Sequence, residues 1–220
     1  MTVAAIMPCL GRPEQTVRNA RRLLESAMRV ASWELHLVVD DDPDTTRALF
    51  LAEYDGNIHL DSLKPRGGYW RCLEQVTART DATHLIGLAN DLWACDGWLA
   101  TAIEEYQHHF GDGPGLLGFA GDGHGPGHSC HFLISRALLE RYGGWPIWYH
   151  HNFGDAELCA RSQADGLYAK AERAYLEHCH VERGLAEDDA VYQAGRATYR
   201  HDEALFVERR RLGWPPVSPS

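Results

Sequence analysis

The sequence lacks any long apolar run, any excess of basic residues and any paired cysteines. No stretch approaches the roughly 20 apolar residues that span a bilayer, so no membrane anchor is expected. The opening Met1-Thr2-Val3-Ala4-Ala5-Ile6-Met7 has no basic leader and meets Pro8 early, unlike a secretory signal. Lys and Arg number 21 against 31 Asp and Glu, for a formal charge of −10. A surface built to wrap nucleic acid would be basic, so that class is disfavoured. The six cysteines (Cys9, Cys72, Cys95, Cys130, Cys159, Cys179) form no C-x-x-C pair. In a chain of this size they read as reduced thiols of a cytoplasmic protein, not as a disulfide framework. No internal repeat and no interdomain linker is evident.

What is present describes an ordinary globular chain. Its 220 residues suit one domain, or one domain with a tail, and can bury a core without a disulfide or metal staple. The hydrophobic share is 45% and the charged share 24%, both ordinary for a soluble domain. The 13 histidines gather in several places: His108-His109, His124/His128/His131, His150-His151 and His178/His180. Most of them read as surface and loop residues.

The first half alternates strand and helix. Val3 to Met7 is a short apolar run stopped by Pro8 and Gly11, as a buried strand would be. Pro13 to Arg29 carries Val17, Ala20, Leu23, Leu24, Ala27 and Met28 at helical spacing, with Pro13 where its missing N–H does no harm. A strand over Glu34–Val39 ends in Asp40-Asp41-Asp42, and a helix follows from Pro43 to about Tyr54. Next come a strand over Asn57–Asp61, a helix over Tyr69–Arg79 and a strand over His84–Leu88. Asp96 is the expected N-cap of the helix carrying Trp98, Ile103 and Tyr106. Such alternation implies a mainly parallel sheet with helices on both faces. Ligands bind beyond the carboxyl ends of such strands. The polar clusters Pro8–Arg12, Asp40–Asp42 and Asn90-Asp91 therefore share one rim.

The second half is less regular. Strands are expected at Leu116–Ala120 and His131–Ser135, and helices at Ser135–Tyr142 and Asp155–Ala164. An aromatic, His-rich loop spans Trp145–Phe153, and a charged helical tail runs over Ala186–Leu212. The stretch 167–177 receives no element.

Several residues have the chemistry of a site. Asp91, in an oxygen-rich corner after a strand, suits Mg²⁺ or Mn²⁺ held with substrate phosphates, or is simply solvated. His178 or His180 could complete such a site, imidazole suiting Mn²⁺ better than Mg²⁺. Asp155 begins a helix, with Glu157 beside it, and serves either as a cap or as a general base facing the rim. Asp40 can accept an N–H from a uracil-like base, or shape a turn. Arg12 and Arg66 flank the rim and suit phosphate. Trp145, Trp148 and Tyr149 could stack on a sugar or base, or pack internally.

Taken in order, these segments resemble the GT-A glycosyltransferases, especially the family 2 inverting enzymes, from Val3 to about Arg183. Ile6-Met7-Pro8-Cys9-Leu10-Gly11-Arg12-Pro13 is similar to that family's first strand and nucleotide loop. Leu37-Val38-Val39-Asp40-Asp41-Asp42 resembles the second strand with its base-reading Asp. Pro65-Arg66-Gly67-Gly68 resembles the Gly-rich turn before the third helix. Thr83 to Asp91, followed by Gly97-Trp98-Leu99, resembles the D-x-D strand and its helix. Ala89 stands where the first acid would be, and Asn90 replaces another. Leu138 to Trp145 is similar to the segment leading into the acceptor loop. Gly154-Asp155-Ala156-Glu157-Leu158 with Arg161 resembles E-D-x-D/E-L-x-x-R, Gly154 replacing the Glu. His178-Cys179-His180-Val181 with Arg183 resembles the late metal-binding His, and His180 matches better.

The resemblance implies a GT-A type, Rossmann-like α/β fold over 1–185, with a nucleotide-binding half (1–110), an acceptor and catalytic half (111–185) and a C-terminal helical extension (186–220). It implies a metal-dependent inverting transferase that uses Mn²⁺ or Mg²⁺ at Asp91 and His180. Donor contacts would come from Pro8, Leu10, Arg12, Asp40, Arg66, Gly67, Asn90 and Asp91. Asp155 would be the general base, with Trp145, Trp148 and Glu157 at the acceptor. The donor would be a nucleoside-diphosphate sugar, most often a UDP-sugar, and the acceptor a hydroxyl of unassigned class. Arg209-Arg210-Arg211 keeps a nucleic-acid acceptor open, although the net charge disfavours it, and a homodimer through the tail is also open.

Two rivals remain from the sequence. A nucleotidyltransferase would release pyrophosphate instead of a nucleoside diphosphate, but Leu10-Gly11-Arg12 is a poor version of its loop. A silent nucleotide- or glycan-binding domain would bind without turnover, and the altered Ala89-Asn90-Asp91 motif supports it.

Overall fold

The computed structural model describes residues 1–27, 30–54 and 57–216. Three strand–helix units open the chain: β1 (Val3–Cys9) with α1 (Pro13–Ser26), β2 (Trp33–Asp40) with α2 (Pro43–Leu51), and β3 (Ile58–Leu63) with α3 (Tyr69–Thr77). β4 (His84–Gly87) and a short β5 (Leu92–Ala94) precede α4 (Trp98–Phe110). Then follow β6 (Leu116–Ala120), β7 (Phe132–Ser135), α5 (Arg136–Arg141), α6 (Gly154–Ala164), β8 (Tyr168–His178) and α7 (Ala190–Arg211).

The strands form one sheet in the order β3-β2-β1-β4-β7-β6-β8-β5. β3, β2, β1 and β4 are parallel. β7 runs antiparallel between β4 and β6, β8 is parallel to β6, and β5 returns antiparallel along β8. The mainly parallel sheet expected from the alternation is present. In β1, Val3, Ala5, Met7 and Cys9 enter one core, while Ala4 and Ile6 enter the other. Both faces are therefore covered by helices, as a parallel sheet requires.

Some boundaries differ from expectation for identifiable reasons. β1 continues through Pro8 to Cys9. Leu88 N donates to Ile6 O, so Ile6 and Pro8, two residues on, turn their polar groups toward β4. The β4 ladder ends at Ile6–Gly87, at the point where the next bond would need the N–H that Pro8 lacks. Gly97, at φ 74°, caps α4 in place of Asp96, which pairs instead with Arg22 at 2.9 Å. α1 ends at Ser26, and residues 28–29 of the expected helix lie outside the described ones.

β5 and β8 are the two strands the sequence did not announce. β8 carries Lys170, Glu172, Arg173 and Glu177, which break any apolar alternation. Its backbone irregularity is satisfied from α4, where the buried Glu105 carboxylate accepts from the N–H groups of Glu172, Arg173 and Ala174. A strand held partly by a helix carboxylate leaves no period-two signature.

The tail is packed against α6 and the aromatic loop. α7 buries Tyr192, Asp202 and Arg209. The Asp202 carboxylate, wholly buried, accepts from the N–H groups of His150, His151 and Asn152 and so holds the aromatic loop. Among the described residues, no helix is long and apolar enough to cross a membrane.

Candidate active site

The three polar clusters at the strand ends are bonded to one another. The Asp42 side chain caps α2 and also accepts from Gly11 N at 2.6 Å. The Asn90 amide donates to Leu10 O, Gly11 O and Thr16 Oγ1. Asp40 accepts from Gly67 N at 2.7 Å and Gly68 N at 3.0 Å, one on each oxygen. Asn90 and Asp40 are 6% and 3% exposed. Their polar atoms shape the loops around Leu10 and Gly67, so they position the rim from beneath. Pro8 and Leu10 are half-buried on that rim and Arg66 is exposed. A Cβ at Gly67 would press on the flexible end of Leu63 and on the Cβ of Arg71.

Asp91 sits at the centre of the rim. Its Oδ2 accepts from Tyr192 OH at 3.0 Å and from Arg12 Nη1 at 3.4 Å. His178 Nε2 lies 3.5 Å from Oδ1, at the limit of hydrogen bonding, and Oδ1 is buried without a hydrogen-bond donor. Burial alone would raise the Asp91 carboxyl. Contact with His178 and the charges of His178, His131 and Arg12 reverse this and hold it well below the usual carboxylate range. The β5–β8 ladder makes this meeting, since it pairs Leu92 with His178, and Cys179 N donates to Asp91 O.

His180, the sequence's preferred metal ligand, is placed differently. Its Nδ1 accepts from Glu182 N at 3.3 Å, capping a short 3₁₀ turn, and its ring packs edge-on to Tyr192. Of the two histidines, His178 is the one that faces Asp91. His131, not singled out from sequence, lies beside it with ring centroids 5.0 Å apart. Its Nδ1 donates to Gly87 O, which leaves a buried Nε2 lone pair without a partner. Burial, then the charge of His178, pushes its pKa down to about 4.

Arg12 is clamped from α7. Asp189, the N-cap of that helix, takes Arg12 Nε at 2.5 Å and Nη2 at 2.8 Å, and the guanidinium lies 3.9 Å over the Tyr192 ring. Asp189 and Tyr192 were invisible to a reading of local motifs. The tail's helical period gives no hint that its first turn reaches the rim.

Asp155 lies in the first turn of α6. A Cβ at Gly154 would strike the indole of Trp70 and Pro146, so the Glu of the resembling pattern has no room here. His128 Nε2 stands 3.3 Å from Asp155 Oδ2. Burial tends to raise the Asp155 carboxyl, but the His128 hydrogen bond and charge outweigh it and hold Asp155 below its ordinary value. Burial likewise lowers His128, and Asp155 more than compensates, so His128 is raised. A depressed carboxyl stabilises the fold above its unfolded pKa, and this is lost as pH falls through the folded value. The raised imidazole stabilises it below its unfolded pKa, and this is lost as pH rises through the folded value. Replacing His128 by Asn is expected to raise the Asp155 pKa, read directly by carbon NMR of the side-chain carboxyl. An unmoved titration would show that the pair is not formed in solution.

Two residues expected at the acceptor, Glu157 and Trp145, lie in the interior. Glu157 has no exposed side chain and is bonded to Arg209, Arg161, Tyr149 and Trp148. Trp145 is 2% exposed and donates to Thr77 Oγ1 at 2.7 Å. Trp148 is half-buried, with the Arg209 guanidinium 4.2 Å over its ring.

No protein-family model matches the chain, and no curated protein sequence matches it. Solved structures do. The mannosyltransferase PcManGT of Pyrobaculum calidifontis, in complex with GDP-Man and Mn²⁺, matches with a TM-score of 0.66 at 16% identity, over 83% of this chain and 58% of that one. A fragment of S. aureus TarS in complex with UDP matches with a TM-score of 0.64 at 14% identity, over 80% and 60%. The same fragment with UDP-GlcNAc matches with a TM-score of 0.64 at 12% identity, over 80% and 58%. The chain thus spans about three-fifths of the length of these proteins. With its strand order and its carboxyl-end rim, the chain has the GT-A-type fold of the glycosyltransferases.

Proposed function

We propose that this protein transfers a sugar from a nucleoside-diphosphate sugar to an acceptor hydroxyl with inversion. One observation carries the reading: at the strand-end rim the buried Asp91 carboxylate meets Arg12, Tyr192 and His178. The Tyr69 hydroxyl is pushed up by burial first, then by the charges of Asp155, Cys130 and Asp91. The His151 ring, lowered by burial, also feels both carboxylates. Arg12, His178 and His131 thus gather around the Asp91 carboxylate. The similar structures hold GDP-Man with Mn²⁺, UDP or UDP-GlcNAc, which supports a nucleotide-sugar donor.

On this reading Arg12 offers its guanidinium to the departing diphosphate. The donor set also fits a divalent cation. Asp91 Oδ1 is a buried oxygen without a hydrogen bond, and an imidazole nitrogen lies 3.5 Å away. Asp91 and His178 would hold Mn²⁺ or Mg²⁺, which when bound offsets the charge growing on the leaving nucleoside diphosphate. Asp155 takes the proton of the acceptor hydroxyl as that oxygen attacks the anomeric carbon opposite the leaving group. His128 keeps the carboxylate ionised and oriented. Asp40 and Asn90 hold the loops that meet the nucleotide.

The test is calorimetric binding of UDP and GDP, each with Mn²⁺, Mg²⁺ or EDTA, to wild type and Asp91→Ala. Binding is expected to need the metal and to weaken at least about tenfold in the variant, equivalent to about 1.4 kcal/mol. Absence of binding by both nucleotides under every condition would overturn the donor assignment.

A further inference from the structure

Beside Asp155 lies a cluster of which the proposed transfer chemistry uses only His128. The ligand atoms of His124, His128 and Cys130 all lie within 4.8 Å of one another. His128 Nε2 is 3.9 Å from Cys130 Sγ and 3.3 Å from Asp155 Oδ2. The His124 and His128 rings meet at 89° with centroids 4.4 Å apart.

We propose that His124, His128, Cys130 and Asp155 form a Zn²⁺ site separate from the Asp91 corner. Zinc takes four ligands of this kind, and bonds of about 2.0–2.3 Å place neighbouring ligands about 3.3–3.6 Å apart. The His128–Asp155 spacing already matches, and the His128–Cys130 spacing needs only a few tenths of an ångström. A thiolate beside imidazoles selects zinc over magnesium or manganese. Among the described residues, two other clusters bring three such groups together: Glu34/His36/His59 and His150/His201/Asp202. Neither contains a thiol, and Asp202 is already bonded to three backbone N–H groups.

The loop carrying the ligands is held for the purpose. Asp122 accepts from His124 N, Cys130 N and Ser129 Oγ, fixing both ends of the turn. Lys170 bonds both Asp122 oxygens and His128 O. The Asp122–Lys170 charges cancel, and a thiolate with the Asp155 carboxylate balances the charge of the ion. His124 is exposed and Cys130 half-buried, so the ion has an entry path. Binding releases the thiol proton to solvent. The consequence for transfer rests on the function proposed above: an Asp155 oxygen bound to zinc cannot take a proton, so occupancy would hold transfer off.

The test uses Co²⁺ as an optical stand-in for zinc, on the reduced full chain without nucleotide. One equivalent is expected to give thiolate-to-cobalt charge transfer in the near ultraviolet and intense tetrahedral bands in the visible, all removed by one equivalent of Zn²⁺. Cys130→Ser should abolish the charge-transfer band, His124→Asn should weaken cobalt affinity at least about tenfold, and Cys95→Ser, at an exposed free thiol, should change neither. Absence of the band in wild type, or its persistence in Cys130→Ser, overturns the site. The readout needs no sugar donor, so failure of the transfer reading leaves this proposal standing, and the reverse also holds.

Discussion

Asp155→Asn is expected to lower sugar transfer by about 10²- to 10⁴-fold, the usual contribution of a positioned general base. The amide keeps the shape of the carboxylate but has no basic oxygen for the acceptor proton. Nucleotide binding should be unchanged, because Arg12, Asp91 and His178 are untouched. Steady-state transfer and calorimetry on one preparation separate these effects. Transfer at the wild-type rate would remove Asp155 from the role of base. Equal loss of nucleotide binding and transfer would place it in the donor site instead. The neighbouring Glu157 cannot stand in, since its carboxylate is buried and already bonded to two arginines.

Glu157→Gln is the second large expectation, and it concerns stability. Arg209 donates to Glu157 through Nε at 2.8 Å and Nη2 at 2.7 Å, and the two side chains are 6% and 0% exposed. Breaking such a pair by removing one partner leaves the other charge buried without compensation, at a cost of about 3–5 kcal/mol. For a chain of this size that lowers the melting temperature by roughly 6–20 °C. The double replacement Glu157→Leu with Arg209→Leu should cost clearly less than the sum of the two single Leu variants, because it removes both charges together. Additive losses, or a Glu157→Gln variant melting with wild type, would show that the pair is solvated. The same pair fastens α7 to α6, so Arg209, read from sequence as part of a basic cluster, is an internal strut.

The strand–helix alternation of the first half was legible because each element is written locally. Short apolar strand runs, period-3.6 spacing in the helices, and Pro13 and Pro43 at helix starts all act within a few residues. The location of the rim was legible too, since parallel strands end on one side. β8 was not legible. Its charged residues find partners on α4 and in the 122–130 loop, and such partners leave no trace in the strand's own pattern. The Asp91–His178 contact depended on that missing strand, so sequence favoured His180 from the flanking Val181 and Arg183. Trp145 and Glu157 look like acceptor contacts by composition and motif, yet both are interior.

The sequence by itself determined the α/β class and the shared rim, and placed Asp91 after a strand and Asp155 at a helix start, because strand ends and helix starts are local properties. Only the tertiary structure decided what those carboxylates meet. Arg12 joins Asp189, Tyr192 reaches Asp91 across 101 positions, and His178 turns to the same carboxylate through the β5–β8 register. Asp40 and Asn90 become supports instead of open contacts because their polar atoms are claimed by distant backbone. Burial and hydrogen-bond demand are settled by all the elements that pack together, and no local window of sequence contains them.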